Sequence, residues 1–401
     1  MSTMTSPLSN RVLNMEESAT LRMAALGREV KAKGHDVISL SLGEPDFDTP
    51  EHIKMAAKKA LDAGHTKYTP VPGIPALREA VSEKFKRENG LEYSPAQIVV
   101  STGAKQSIAN LANALLNPGD EAIILGPYWV SYSDIVKVAE GTPVIVTAGI
   151  EDDFKVTPEA IEAAITDRTK FMLFSSPCNP TGSVYTADEL AAISKMLGRH
   201  PHVHVISDEI YEHINFTGKH ASIGTFPEVK DRTITVNGFS KGFAMTGWRL
   251  GYIGAPLHIA KACAKLQGQC TSGANSIAQW AGVEALNTSL KPSMDMKEAF
   301  GKRREMMIAG LEAIDGLRVN RPQGAFYIFP DVSAFFGKSN GEFTINNADD
   351  MAEYLLLSKY VATVTGAAFG APDCIRISYA ASEEQLQKAI ERISEALTAL
   401  K

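Results

Sequence analysis

The chain has 401 residues, of which 44% are hydrophobic and 21% charged, a composition that suits a large core and two or three ordinary domains. A net charge of -6 argues against nucleic acid or an anionic membrane surface as the main partner. Four scattered cysteines without a CxxC pair suit a reduced cytoplasmic protein rather than a disulfide framework or a zinc site, and no segment reaches the ~18 apolar residues of a membrane span.

The opening residues, as far as Asn14, form no apolar core of the signal-peptide kind. "ESATLRMAALGREVKAKG" then carries helical spacing and a glycine stop, and "DVISLSL" reads as a short strand. The strand runs into the loop "GEPDFDTP", headed by Gly43. That glycine either lets the backbone approach a ligand or simply makes a turn. "PEHIKMAAKKALDAG" is a helix between Pro50 and Gly64. After it comes a Pro-rich stretch whose Tyr68 either covers core or reaches a neighbouring subunit, and then a helix from about Pro75. From Gln97 to about Tyr252, short apolar runs alternate with helical patterns such as "TADELAAISKMLGRH", where Thr186 is the expected N-cap. This alternation predicts an α/β fold with a largely parallel sheet, covered on both faces and joined by right-handed crossovers. Beyond Pro256 the pattern turns mostly helical, with a long helix from about Lys291 to Ile314. "GAFYIFP" and "CIRISYA" are then expected as strands, with helices near residues 347–359 and 382–400, making a second, smaller α+β domain.

In open α/β sheets ligands bind outside the carboxyl ends of the strands, so the residues after each apolar run carry the functional reading. After "QIVV" come Ser101, Gly103, Ala104 and Lys105 at a helix start, where backbone N–H groups can cradle phosphate; neither a P-loop nor a GxGxxG fingerprint is present. After "EAIIL" comes Trp129, flat enough to stack on a ring. Asn179 follows "KFMLF", and Asp208 and Tyr211 follow "HVHVI". After "TITVNGF" comes "SKGFAMTGWRLGY", with Ser240, Lys241 and, eight residues beyond the lysine, Arg249. Taken alone, that last stretch reads more readily as a surface lysine and arginine in a glycine-rich turn. Together, the five strand ends offer a phosphate cradle, an aromatic plate, an amide, a carboxylate and an amine, which is what a phosphorylated, flat, nitrogen-containing aldehyde requires. Pyridoxal phosphate meets that description. Asp208 would then keep the pyridine nitrogen protonated, Asn179 and Tyr211 would bond the ring oxygen, Ser240 and Arg249 would hold the phosphate, and Lys241 would bond the aldehyde and afterwards move a proton at the substrate Cα. No metal site is expected.

"SKGFAMTGWRLGY", "SSPCNPTG", "SDEIY", "GPYWVSY" and "SLGEPDFDTP" resemble the class I aminotransferases of pyridoxal-phosphate fold type I. "GEPDFDTP" and "STGAKQ" look most like the bacterial aspartate aminotransferase branch, some members of which accept prephenate. The resemblance spans essentially the whole chain. It implies an N-terminal segment over residues 1–44 that packs with a small domain over 301–401, and a large cofactor-binding domain over 45–300. It implies a cytoplasmic homodimer with active sites at the subunit interface, Tyr68 reaching the neighbouring site's phosphate and Trp129 stacking on the ring. Arg376 would bind the substrate α-carboxylate beside Gly43; from the residues alone Arg376 is a strand arginine of unknown use. Lys105, with Thr20 nearby, would recognise a distal carboxylate. The implied activity is transfer of the aspartate amino group to 2-oxoglutarate, with amino acids and 2-oxo acids as the small-molecule partners. The alternatives are another donor (prephenate and glutamate, an aromatic amino acid or alanine) or a cofactor-binding regulatory module without turnover. Members of this branch carry Lys-Pro before "SAT", where this chain has Glu16 and Glu17, a departure that bears on prephenate more than on aspartate.

Overall fold

The computed structural model describes residues 7–13, 15 and 19–401. Glu16 and Glu17 lie outside them. A short strand β1 (Ile38–Ser39) precedes a seven-stranded sheet made of β2 (Ile98–Ser101), β3 (Glu121–Gly126), β4 (Thr142–Thr147), β5 (Thr169–Ser175), β6 (His204–Asp208), β7 (Thr233–Gly238) and β8 (Gly251–Gly254). Their spatial order is β2-β8-β7-β6-β5-β3-β4, and every neighbouring pair is parallel except the two that β8 makes. The expected largely parallel sheet is therefore present.

Successive side chains of a strand point to opposite faces, and here both faces are buried. Ala122, Ile124, Phe171 and Leu173 face one core, shared with the helices Ala104–Leu115, Ser131–Val138 and Leu257–Cys270. Ile123, Leu125, Met172 and Phe174 face a second, under the helices Pro158–Ala164 and Ala187–Leu197. The latter helix opens as its sequence indicates: the Thr186 hydroxyl accepts from the Glu189 amide, and the Glu189 carboxylate accepts from the Thr186 amide. The odd direction of β8 has a local cause. The 239–250 segment contains no crossover helix, and a parallel connection needs one, so the chain can only turn back along β7. That turn consequently lies on the carboxyl edge of the sheet, and it carries Ser240, Lys241 and Arg249.

The remaining strands, β9 (Tyr327–Ile328), β10 (Val361–Ala362), β11 (Val364–Thr365) and β12 (Ile375–Ser378), form a three-stranded antiparallel sheet β11-β12-β9 and a parallel pair of β10 with β1. The helices Lys291–Glu312, Ala348–Lys359 and Glu383–Thr398 cover them around Phe300, Met307, Leu355, Leu386 and Ile393. The N-terminal helix Ala19–Ala32 packs here too, through Met23 and Val30 against Ala352, Leu356 and Ala362. The Leu40 carbonyl accepts from the Ser378 amide, so residues next to β1 touch β12 directly.

Candidate active site

A cavity of about 290 Å³ opens at the carboxyl edge of the large sheet, where β9 and β12 contribute Tyr327 and Arg376 to its wall. Its lining includes Thr20, Gly43, Ala104, Lys105, Trp129, Asn179, Asp208, Tyr211, Ser240, Lys241, Arg249 and Arg376. Of the candidate site residues singled out from sequence, Ser101, Gly103 and Tyr68 stand outside this lining. Gly103 is next to it: with φ of +82° it starts the Ala104–Leu115 helix, and a Cβ there would lie 2.6 Å from Arg249 Nη2. Only a glycine leaves room for the guanidinium to lie across that helix N-terminus. The other guanidinium nitrogen, Nη1, donates to the Thr246 carbonyl at 2.9 Å, and Arg249 is otherwise open to solvent. Tyr68 is 96% exposed and borders a different surface hollow, beside Thr271–Ser276.

Asp208 ends β6 and is only 4% exposed. Tyr132 donates to its Oδ2 at 2.7 Å and the Ile210 amide to its Oδ1 at 3.2 Å. Burial nevertheless pushes its pKa up to about 6, because two hydrogen bonds do not replace the lost water. Lys241 is displaced by the same cause. Packed protein around the amine, followed by the opposing pull of Glu44 and the repulsion of Arg376 and Arg249, brings its pKa down to about 8. Its Nζ donates to the Gly43 carbonyl in a short hydrogen bond.

Arg376, on β12, is 2% exposed. Its Nη1 donates to Asn179 Oδ1 at 3.0 Å and its Nη2 to the Ser41 carbonyl at 2.5 Å, while the Nε is buried without a partner. Its guanidinium lies over the rings of Tyr327 and Phe369, 4.6 and 4.9 Å from their centroids. Among the described residues no carboxylate forms an ion pair with it. A buried cation without an anion is costly, so an anionic group arriving with a ligand would be favoured there. Lys105 reaches solvent at the cavity mouth, with Nζ 4.8 Å from the centre of the Trp129 ring; the protein around it, and Arg249 after that, lower its pKa.

The residues fit pyridoxal phosphate. They supply a helix N-terminus cleared for Arg249, a buried carboxylate that forms no ion pair among the described residues, and a lysine whose neutral form is accessible near pH 8. The sequence reading missed two phenols, Tyr132 and Tyr327. Tyr132 follows Trp129 by three residues, and its ring meets the tryptophan edge-on at 5.5 Å. Tyr327 lies in the apolar run "GAFYIFP" and is fully buried, with its hydroxyl 2.7 Å from that of Tyr211. Nothing in an apolar strand pattern separates such a tyrosine from core.

The family model described as aminotransferase class I and II matches residues 35–393. An aspartate/prephenate aminotransferase of Cereibacter sphaeroides is 49% identical over 389 residues, covering 96% of this chain and 97% of its own. A probable aspartate/prephenate aminotransferase of Thermus aquaticus is 48% identical over 394 residues, covering 97% and 99%. Among solved structures, the aspartate aminotransferase from Rhizobium meliloti superimposes with a TM-score of 0.96 at 45% identity, over 99% of this chain and 100% of that one. The Thermus thermophilus aspartate aminotransferase with maleate gives a TM-score of 0.91 at 44% identity, over 98% and 100%.

Proposed function

The chain belongs to the class I and II aminotransferases, and we propose that within that family it moves the amino group of aspartate to 2-oxoglutarate with pyridoxal phosphate as cofactor. The observation that carries this reading is Arg376, a buried guanidinium that has no acid partner among the described residues and shares a cavity with Lys241. The names of the relatives support the donor, and the maleate in the Thermus thermophilus structure, itself a dicarboxylate, supports a seat for two carboxylates.

When bound, the cofactor supplies an aldehyde that bonds amines and a ring that takes up electrons from Cα. Asp208 holds the ring nitrogen's proton, an assignment supported by its burial. Tyr211 and the amide NH₂ of Asn179, whose Oδ1 is already taken by Arg376, donate to the ring oxygen. Ser240, Arg249 and the amides at Gly103 and Ala104 hold the phosphate, and Trp129 covers the ring. Arg376 takes the α-carboxylate and Lys105, with Thr20 beside it, the distal one. Lys241 would hold the cofactor through its amine and would be placed to move a proton at the substrate Cα. Donor and acceptor alternate in one site, so the kinetics are ping-pong.

The same reading includes a cytoplasmic homodimer with Tyr68 completing the neighbouring site, and a division into residues 1–44, 45–300 and 301–401. The long helix Lys291–Glu312 supports the boundary near 300: Leu290, just before it, packs against the large-unit cluster around Leu77 and Phe239, whereas its Phe300 and Met307 sit in the other core. Among the described residues no helix is long and apolar enough to cross a membrane.

Initial rates over a panel of amino donors test the proposal. Aspartate is expected to exceed phenylalanine and alanine, and failure to do so overturns the donor assignment. Prephenate belongs among the acceptors of the same panel, since the Cereibacter relative is named for both substrates. Lys241→Ala should abolish turnover yet still bind the cofactor without a covalent link, seen as a visible band lost on gel filtration; normal turnover would remove Lys241 from its role.

A further inference from the structure

Tyr327 touches three parts of the site at once. Its hydroxyl lies 2.7 Å from that of Tyr211, and its ring face carries the Arg376 guanidinium. The hydroxyl also fills the space beside Gly43, where a Cβ would lie only 2.3 Å away, and the Gly43 carbonyl is the acceptor for Lys241. The ring is packed edge-on against Tyr211, 5.8 Å between centroids, and tilted against Phe326 at 4.8 Å, so it cannot swing aside. Among the described residues, neither phenol of the pair has another hydrogen-bond partner.

Two hydroxyls at this distance share one hydrogen bond, and in the bare pair either can donate. That symmetry ends when Tyr211 gives its proton to an acceptor in the cavity, because Tyr327 is then the only donor left in the pair. Hydrogen bonds in series polarise one another, so donation into Tyr211 strengthens donation out of it. We infer that Tyr327 is a positioning residue for the reaction: it donates to Tyr211, fixes the direction of the Tyr211 proton, and so strengthens the bond that Tyr211 makes to the cofactor's ring oxygen. The inference rests on the proposed role of Tyr211, and the test separates the two.

The readout is the pH midpoint of the visible absorption change in the holoenzyme, which follows the proton shared by the ring oxygen and the linking nitrogen. A hydrogen bond donated to that oxygen favours its anionic form and holds the midpoint down. Tyr211→Phe should therefore raise the midpoint, and Tyr327→Phe, which keeps the ring and its packing, should raise it by a smaller amount, about half a pH unit. Added to Tyr211→Phe, the second substitution should move it no further. An unmoved midpoint in Tyr327→Phe, beside a clear shift in Tyr211→Phe, overturns the relay alone. A Tyr327→Phe shift that persists in the Tyr211→Phe background also overturns it, because the effect then bypasses Tyr211. No shift in Tyr211→Phe overturns the role of Tyr211 and the relay with it.

Discussion

Asp208 and Lys241 lie in one cavity, and burial moves them toward each other in proton affinity. Asp208 is raised in the folded protein from its ordinary 3.8 to about 6. Its contribution to the stability of the cofactor-free protein is thus fully present below pH ~4 and is lost as pH rises through about 6, a cost of about 3 kcal/mol above that window. Denaturant unfolding of the cofactor-free protein between pH 4 and 7 checks this: the parent should lose about 2–3 kcal/mol relative to Asp208→Asn across that range, whereas parallel curves would contradict it. Lys241 has the opposite history. It is depressed from 10.5 to about 8, so its contribution is present above pH ~10.5 and lost as pH falls through 8. At neutral pH about a tenth of this amine is neutral, against well under a thousandth for an ordinary lysine. The rate at which cofactor-free protein takes up pyridoxal phosphate should accordingly rise with a midpoint near pH 8, and a midpoint above 10 would show that the amine is solvated. Both residues were legible in the sequence because each stands directly after a β-rich run. Tyr132 and Tyr327 were not: a buried phenol announces its hydroxyl only through the partner it meets in space.

The elements make the site by where they stop. β3, β5, β6 and β7 end at Gly126, Ser175, Asp208 and Gly238, and the next few residues of each furnish Trp129, Asn179, Tyr211 and Lys241. That much follows from alternation along the chain, and so does the Thr186 cap. The reversal of β8 follows instead from what the 239–250 segment lacks, a crossover helix, and a strand's own pattern does not state its direction. At the start of the Ala104–Leu115 helix two backbone requirements coincide. Gly103 and Arg249 both have positive φ, +82° and +53°, and a Cβ on Gly103 would run into the Arg249 guanidinium. Gly103, at φ +82° and ψ 158°, holds a conformation almost reserved for glycine, so Gly103→Ala would add strain of about 1–3 kcal/mol and drive a methyl into the guanidinium. Cofactor affinity should fall about tenfold or more through displacement of Arg249, while the melting temperature of the cofactor-free protein drops by only a few degrees. An unchanged cofactor affinity would mean that this helix start does not hold the phosphate.

At the scale of the whole molecule the described chain supplies most of a site. Tyr68 is 96% exposed and outside the cavity, and Arg249, within the lining, is open to solvent on its outer side. An exposed tyrosine and an open phosphate seat on one chain fit a symmetric pair in which each copy covers the other, because an isologous interface places every residue of one copy against its complement on the second. The sequence alone left Tyr68 divided between core cover and reach toward a neighbour. Its exposure removes the first option and leaves the second as part of the proposed homodimer. Mixing two damaged chains decides it. Lys241→Ala should be inactive in every copy, and Tyr68→Phe, lacking one charge-assisted hydrogen bond to the phosphate, should lose roughly tenfold in activity at limiting cofactor. Unfolded and refolded together in equal amounts, the two should assort into mixed dimers. In these, one site pairs an intact Lys241 with an intact Tyr68 from the other copy, so about a quarter of all sites recover full activity. If Tyr68 serves its own chain, no mixed dimer contains an intact site and the mixture stays near half the activity of Tyr68→Phe alone. The two outcomes differ by roughly fivefold in rate, and the lower one would dissolve the shared-site reading while leaving the chemistry at Lys241 untouched.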